Sequence, residues 1–504
     1  MRTRVRLCHA CAAISVVVLV ASCQSSTPSA APATSAAPST VGSASAPSAS
    51  VAAPSASSVA ATASASAAPS PSQSPAGAAV RAVAWLTRQA GAKANDPVLV
   101  VGDTTSKETR RIALPGAPQT LHSSGEPNVV LAGGSAEWAV DTAKGTVTTL
   151  AAGSEALFPG AGAGRWELFA GGAPDRAVLV DVVAGTGVDL RSLRINAITN
   201  AQFSPDGAYL IGWPITLPAP VVITTGPAPT ARPIAGGKAV IYAMTADGEG
   251  IVAITHDGGA TQLVAEGLDG SGSKVVYQQP GMAAGRFAAG GSKALLVDEA
   301  GVLAVDMASG TTRRIAPVPA VNEWLGTACS PTRPVCALAT GIGGTKWGTV
   351  DLTAGTMGPI AAINGFQPSA PATGEFTAAG SPGSSLTTSI GILDVATAKA
   401  IVLPTTDEGG LIALSNGSVG DRFLVATRGR QSATSDLWLV DGVAGTAVSV
   451  AHGEITRGSL SSDGAAALVW VYAKGGSSMQ LVDAASGLVT ALPADWADAV
   501  FVGP

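Results

Sequence analysis

One phrase recurs along most of this 504-residue chain: an apolar strand, an aspartate, a turn of small residues, then a second strand. It reads WAVDTAKGTVTTL at 138–150, VLVDVVAGTGVDL at 178–190, LAVDMASGTTRRI at 303–315 and GTVDLTAGTMGPI at 348–360. It returns as GILDVATAKAIVL at 391–403, WLVDGVAGTAVSV at 438–450 and QLVDAASGLVTAL at 480–492. Period-two alternation interrupted by a small-residue turn is the signature of a β-hairpin. Asp141, Asp181, Asp306, Asp351, Asp394, Asp441 and Asp483 stand where a short carboxylate can accept hydrogen bonds from the turn backbone. Gly145, Gly185, Gly310, Gly355, Gly445 and Gly487 stand where the turn needs a positive φ. Ala398 replaces the glycine in one copy, so a tighter or irregular turn is expected there.

A second phrase alternates with the first. AQFSPDGAYLIGW, at 201–213, places a strand end at Phe203, a turn over Ser204, Pro205, Asp206 and Gly207, and a new strand at Tyr209 to Trp213. SLSSDGAAALVW at 459–470 repeats it with Ser461, Asp463, Gly464 and Trp470. Looser copies keep Ser330-Pro331, Asp247-Gly248 and Asn416-Gly417. From Ser204 to Ser330, and again to Ser461, the chain advances by about three periods of roughly 43 residues. Four short strands in such a period, with no amphipathic helix pattern between them, specify a β-propeller of four-stranded blades. Ten strand cycles begin near Val83, Pro127, Trp166, Ala208, Ile251, Lys293, Val335, Phe376, Phe423 and Ala465. Rings usually hold four to eight blades. The expectation is therefore a single ring of about eight blades, within a range of seven to ten, with two joined propellers as the alternative. The first cycle, AVRAVAWLTR, lacks a leading strand, and the last segment, WADAVFVGP, is a lone strand. Pairing the two would close one ring.

FSPDGAYLIGW resembles the WD40-like (PD40) repeat of the TolB family, in which this turn joins the two inner strands of a blade. The match is close over one repeat and looser at the C-terminus. The resemblance implies the propeller fold. The N-terminal α/β domain of that family has no counterpart in this sequence, and a shared fold does not carry a shared function.

The first 22 residues read as a lipoprotein signal peptide. Arg2, Arg4 and Arg6 form a positive start, and Ala10 to Ala21 an apolar core of about a dozen residues, well short of the ~20 needed to span a membrane. Val20-Ala21-Ser22-Cys23 resembles a bacterial lipobox, which implies lipidation of Cys23. Two acyl chains would give stable anchoring. The segment 23–80 comprises that cysteine and an Ala/Ser/Pro-rich linker with no charged or aromatic residue after Cys23. Such a composition buries too little apolar surface to offset the entropy of ordering, so a disordered tether is expected. It would span roughly 40 Å as a coil and ~170 Å as polyproline. The propeller domain is expected over 81–504. Cys8 and Cys11 fall in the removed peptide, which leaves Cys329 and Cys336 flanking the turn SPTRP. In an oxidising compartment they are expected to form a local disulfide worth ~2.5 kcal/mol; two free buried thiols are the alternative.

Catalytic patterns are missing. His122, His256 and His452 lack metal spacing, and no G-x-S-x-G elbow or phosphate loop occurs. LDGSGSK at 268–274 offers Asp269 and hydroxyls but no closing acidic residue for a calcium loop. No metal, no cofactor and no nucleic-acid partner is expected: the net charge is −5 and the chain has no basic run. Nine tryptophans, about one per repeat, are read as packing between blades. Trp324, in PAVNEWLGTACSP, is singled out as a rim contact in a connecting segment. The functional expectation is a membrane-anchored extracytoplasmic lipoprotein of the cell envelope whose propeller is a binding scaffold for a protein or envelope glycan. The alternative is a propeller enzyme (a lyase, glycan hydrolase or quinone-type dehydrogenase) with its site in the central channel. A structural surface protein with no small ligand is the third reading.

Overall fold

The computed structural model describes residues 81–502, except 88–97, 106, 135, 151–156, 172–175, 316–323, 341–345, 359–360, 363–366, 369–375, 381–389, 398, 404–410, 420, 429–433, 474–475, 485 and 495. The lipobox cysteine Cys23, the linker and Ala398 lie outside the described residues.

Ten antiparallel sheets follow one another along the described residues, each a meander of four strands from the inside of the ring outward. The second blade is representative: Thr120–Ser123, Val129–Gly133, Glu137–Asp141 and Thr146–Thr149, paired in that order. The innermost strands of blades three to eight are Leu157–Ala163, Ile198–Phe203, Ala239–Met244, Ala284–Ala288, Trp324–Cys329 and Gln367–Pro368. Blade seven carries an extra short strand, Ala361–Ala362. Blades nine and ten share one long strand, Thr446–Leu460: up to Gly453 it is the outermost strand of blade nine, and from Glu454 it is the innermost strand of blade ten. The count of ten is the top of the expected range. Eight, the central expectation, rested on the usual size of such rings, whereas all ten strand cycles of the sequence form a sheet.

The chain closes as one ring. Trp496–Phe501 is the innermost strand of blade one and pairs with Ala82–Thr87, with Ala499 opposite Trp85. The two ends of the folded part thus share a sheet, leaving neither as an unpaired edge. Each neighbouring pair of blades from one to seven, and from eight round to one, shares an apolar cluster. Between blades seven and eight the innermost strands lie against one another. Strands such as Val129–Gly133 are buried throughout, as expected of a sheet covered on both faces by its neighbours.

Blade topology sorts the connections. The turns from first to second strand and from third to fourth strand emerge on one rim, termed here the turn rim. The second-to-third connections and the blade-to-blade connections emerge on the other, the loop rim. All the repeated phrases of the sequence are on the turn rim. Asp181 Oδ1 accepts from the Val183 and Ala184 amides, Asp306 from Ala308 and Ser309, and Asp351 from Thr353 and Ala354. The six turn glycines have φ between +67° and +76°. Ser204, fully buried, receives the Tyr209 amide on its hydroxyl and donates to Asp206 at 2.6 Å. Ser461 repeats the arrangement with Ala466 and Asp463.

Candidate functional site

The regular turns are satisfied within themselves, so the search for a site turns to what departs from them. The departures gather on blades four, five and six, at the loop rim and along the innermost strands. Among the described residues, three of the five non-glycine residues with left-handed backbone occur there: Arg194 (φ 63°), Asn200 (φ 53°) and Ala235 (φ 48°). Such conformations cost roughly 1–3 kcal/mol and persist only where the surroundings enforce them. Arg194 ends a single 3₁₀ turn, Leu190–Leu193, in the connection leading into blade four. Asn200 lies at the bulge of the innermost strand of blade four, where the register shifts between Thr199 and Gln202. Ala235 is in the 3₁₀ turn Ile234–Gly237, in the connection leading into blade five.

The same three blades present large apolar residues to solvent on consecutive positions round the loop rim. Ile215 (64% exposed) follows the second strand of blade four, Val240 (38%) is near the start of the innermost strand of blade five, and Met282 (62%) is in the connection into blade six. On the turn rim, Val183 and Val443 are exposed on blades three and nine, and Leu488 on blade ten is exposed together with its neighbour Val489.

Innermost strands have a free edge toward the ring axis, and their side chains alternate between the two neighbouring blade interfaces: Ile241 and Ala243 pack with the cluster between blades five and six, Tyr242 and Met244 with the one between blades four and five. In Ala284–Ala288, Gly285 is buried and Phe287 packs with the cluster between blades five and six, while Ala284 and Arg286 take the other parity and are exposed. In Ala239–Met244, Tyr242 occupies the position that Arg286 takes one blade on, two residues before the strand's last residue. The Tyr242 hydroxyl donates to the Asn200 carbonyl at 3.2 Å, and burial pushes its pKa up to about 12. Burial likewise pushes the Arg286 guanidinium below its ordinary value, although the residue is solvent-exposed. Ala288, two residues on and of the same parity as Arg286, is buried in the cluster between blades six and seven.

Two buried carboxylates were not foreseen. Glu137 is 7% exposed, with Oε2 lacking a hydrogen-bond partner among the described residues, and Glu167 is 3% exposed, accepting the Gly125 amide of blade two on Oε1 at 2.7 Å. Loss of hydration raises each to about 7. They are not an acid–base pair: Glu137 begins its strand at the loop rim, and Glu167 begins its strand at the turn rim of the next blade. Glu167 joins neighbouring blades, as do Asp498, which accepts the Leu121 amide at 2.7 Å, and Arg232, which binds Glu266 at 2.8 Å together with the Gly267 and Leu268 carbonyls.

The residues singled out from sequence take the following places. Cys329 and Cys336 are directly opposite one another in blade seven and form a disulfide, with Cα atoms 4.0 Å apart. Trp324 is not in a connecting segment: it opens the innermost strand Trp324–Cys329, opposite Thr340, because the strand's apolar run extends back to it; its side chain is outside the described part. Trp85, Trp138, Trp470 and Trp496 are buried in the clusters between blades. His122 is on the innermost strand of blade two, while His256 contacts Thr261 and His452 pairs with Asp436. Asp269 ties the Ser271 amide in the outer turn of blade five. No group of three metal-ligating side chains occurs among the described residues.

No family model matches the sequence, and no curated protein matches it. Among solved structures, the chain is similar to a eukaryotic initiation factor at 11% identity, covering 84% of this chain and 98% of that one with a TM-score of 0.45. The β-propeller domain of Myceliophteria thermophila Cps50 (Swd1) aligns at 14% identity over 52% of this chain and 93% of that one, with a TM-score of 0.30. TolB from Acinetobacter baumannii aligns at 14% identity over 47% and 61%, with a TM-score of 0.24. The fold rests on the strand pairing of the ring itself.

Proposed function

We propose that this propeller is a non-catalytic binding scaffold, lipid-anchored through Cys23 on the outer side of a bacterial membrane, and that it engages a protein or glycan of the cell envelope with the loop rim of blades four to six. The observation that carries the reading is the concentration of Ile215, Val240 and Met282 on three consecutive blades beside the left-handed residues Arg194, Asn200 and Ala235. Contiguous exposed apolar surface with a polar surround marks interaction sites on soluble domains. The repeated turns absorb the rest of the sequence signal as architecture. Arg81, where the described ring begins, is on the turn rim, opposite the exposed apolar residues of the loop rim. The relation to the TolB family belongs to this reading and rests on the FSPDGAYLIGW repeat.

Two measurements test it. Cys23→Ala, or inhibition of lipoprotein processing, should release the full-length chain from the membrane fraction; retention would defeat the anchor. Ile215→Asp combined with Met282→Asp should abolish crosslinking of the full-length chain to its envelope partner, with the melting temperature unchanged. Crosslinking that persists in the double variant would remove the loop rim of blades four to six as the interaction surface.

A further inference from the structure

We infer that residues 75–80, PAGAAV, which precede the described ring, dock on the turn rim at the seam of blades ten and one, with the Val80 side chain in a notch that Arg81 helps to line. The inference depends neither on membrane attachment nor on a partner at the loop rim.

The notch arises from a break in the repeat. At other interfaces the turn between the third and fourth strands rests its glycine on the outermost strand of the preceding blade: Gly145 on Arg110, Gly355 on Arg313 and Gly487 on Val448. In each pair the glycine stands four residues after its own aspartate, and its partner seven residues after the aspartate of the blade before. A methyl group on Gly487 would meet Val448 at 2.9 Å, so these two blades are in close contact. At the seam the matching positions are Lys107 of blade one and Thr490 of blade ten. The turn of blade one, Asp103-Thr104-Thr105-Ser106-Lys107, has no glycine, and a cavity of about 40 Å³ takes the place of the contact. Arg81 and Thr104 line one side of it, and Ala466, Leu481, Leu488 and Thr490 the other. Leu488 (65%) and Val489 (38%) are exposed side by side next to it.

What covers this surface follows from where the chain enters the ring. The turn that lines the notch also holds the first described residue: Thr104 Oγ1 accepts the Arg81 amide at 3.3 Å, and the Thr104 amide donates to the Arg81 carbonyl at 3.0 Å. Val80 is therefore one peptide unit, about 3.8 Å between Cα atoms, from a residue of the wall. Val80 carries the only aliphatic side chain larger than that of alanine or proline between Val59 and Arg81. At ~10–15 Å³ for one water, the cavity has room for about three heavy atoms, the size of a valine isopropyl group. Ala76, Ala78 and Ala79 are small and uncharged, so laying them over Leu488 and Val489 takes no charge out of water. The docked segment would join the first blade to the last from outside the strand ladder.

Hydrogen exchange of the purified full-length chain, read by mass spectrometry, tests the docking. The amides of residues 76–80 should exchange at least about tenfold more slowly than in an unstructured chain, and equally so at low and high protein concentration. Leu488→Asp, at an exposed position, should remove that protection, and Val80→Asp should speed exchange at Leu488 and Val489. Elastase, which cleaves after small residues, should trim the unmodified chain to a fragment that keeps residues 75–80, and the Leu488→Asp chain to one that starts at Arg81. Unprotected amides at 76–80, protection unchanged in Leu488→Asp, or trimming of the unmodified chain as far as Arg81 overturns the proposal. Protection that disappears on dilution also overturns it, because a second copy would then be covering the notch. Val80→Asp alters no residue of the ring and keeps the test decisive should Leu488→Asp fail to fold: exchange at Leu488 and Val489 left unchanged by it overturns the proposal.

Discussion

Arg81 and Asp463, 382 residues apart in sequence, form a two-pronged ion pair across the seam of the ring: Nε meets Oδ1 at 3.2 Å and Nη2 meets Oδ2 at 2.8 Å. Asp463 belongs to the turn Ser461-Ser462-Asp463-Gly464 of blade ten, so the repeated turn serves here as a clasp on the start of blade one. The Arg81 guanidinium, and after it the Ser461 hydroxyl, hold the Asp463 carboxyl well below the usual carboxylate range. A carboxyl with a depressed folded-state pKa contributes stability that is fully present above its unfolded value of about 3.9 and is lost as pH falls through the lower folded value. Asp463 is 58% exposed, so solvent screening keeps the contribution near that of a surface pair. Arg81→Ala and Asp463→Asn should each cost about 1 kcal/mol at pH 7, with the double variant costing less than the sum. A denaturant double-mutant cycle at pH 7 and at pH 2.5 checks this; the coupling should shrink at the acid end.

The seam is otherwise apolar. Trp85 and Trp496 stack with ring centroids 4.2 Å apart and planes 11° from parallel, both nearly buried. Trp496→Ala leaves a large cavity between the first and last blades and should cost about 3–5 kcal/mol. Removing residues 496–504 should do more, because the strand Ala82–Thr87 then becomes an open edge. Light scattering and limited proteolysis should show association and cleavage near the seam in the truncated chain, and neither in Trp496→Ala at low temperature. A truncated chain as compact and protease-resistant as the full one would contradict closure by this strand.

The seam was legible in sequence because a lone strand and a strand-deficient first cycle are complementary, and Val502 N does bond Ala82 O. The turns were legible because their geometry is local: an aspartate and a glycine four positions on suffice. Asp103 was missed as a further member because Thr104-Thr105-Ser106 replaces the small turn, yet its carboxylate accepts the Thr105 and Lys107 amides in the same way. The blade boundary inside Thr446–Leu460 was hidden because one unbroken strand serves two sheets. The contact between Tyr242 and Asn200 could not be read from sequence at all. It depends on which strands are innermost in blades four and five and on which parity faces the neighbouring blade, and both follow only once the ring is closed.

Glu137 and Glu167 give the ring an inverted pH response in the neutral range. Each carboxyl is raised to about 7 in the folded chain by burial, above the ordinary glutamate value of about 4.3. Between those two values the folded state binds more protons than the unfolded state, so stability falls as pH rises and stays reduced above 7. Glu137→Gln and Glu167→Gln should therefore stabilise the protein at pH 8, each by about 1–3 kcal/mol, and be close to neutral at pH 4.5. The amide side chain in Glu167→Gln keeps an acceptor for the Gly125 amide, so that variant separates charge from hydrogen bonding. Thermal melts across pH 4.5–8 check the sign: a destabilised Glu167→Gln at pH 8 would show that the ionised carboxylate is the favoured native form.

Gly185 and Gly445 separate two demands that the repeated turn makes on its glycine. Both end the same Asp-turn and have nearly the same left-handed backbone, φ 72° and 68°. A methyl group on Gly445 would meet nothing within 4 Å among the described residues, whereas on Gly185 it would lie 2.7 Å from the Thr149 carbonyl oxygen and 2.6 Å from the Thr148 methyl of the preceding blade. Gly445→Ala should then cost only the left-handed conformation, about 1 kcal/mol. Gly185→Ala adds a clash with a neighbouring blade's backbone, which cannot rotate away, and should cost about 1–3 kcal/mol more. Equal losses in denaturant unfolding would mean that the blades slide apart at no cost, and that the glycine is selected by turn geometry alone. A larger loss at Gly185 would mean that the turn also sets the spacing between blades, which is how a local motif of a few residues comes to govern the diameter of a ten-bladed ring.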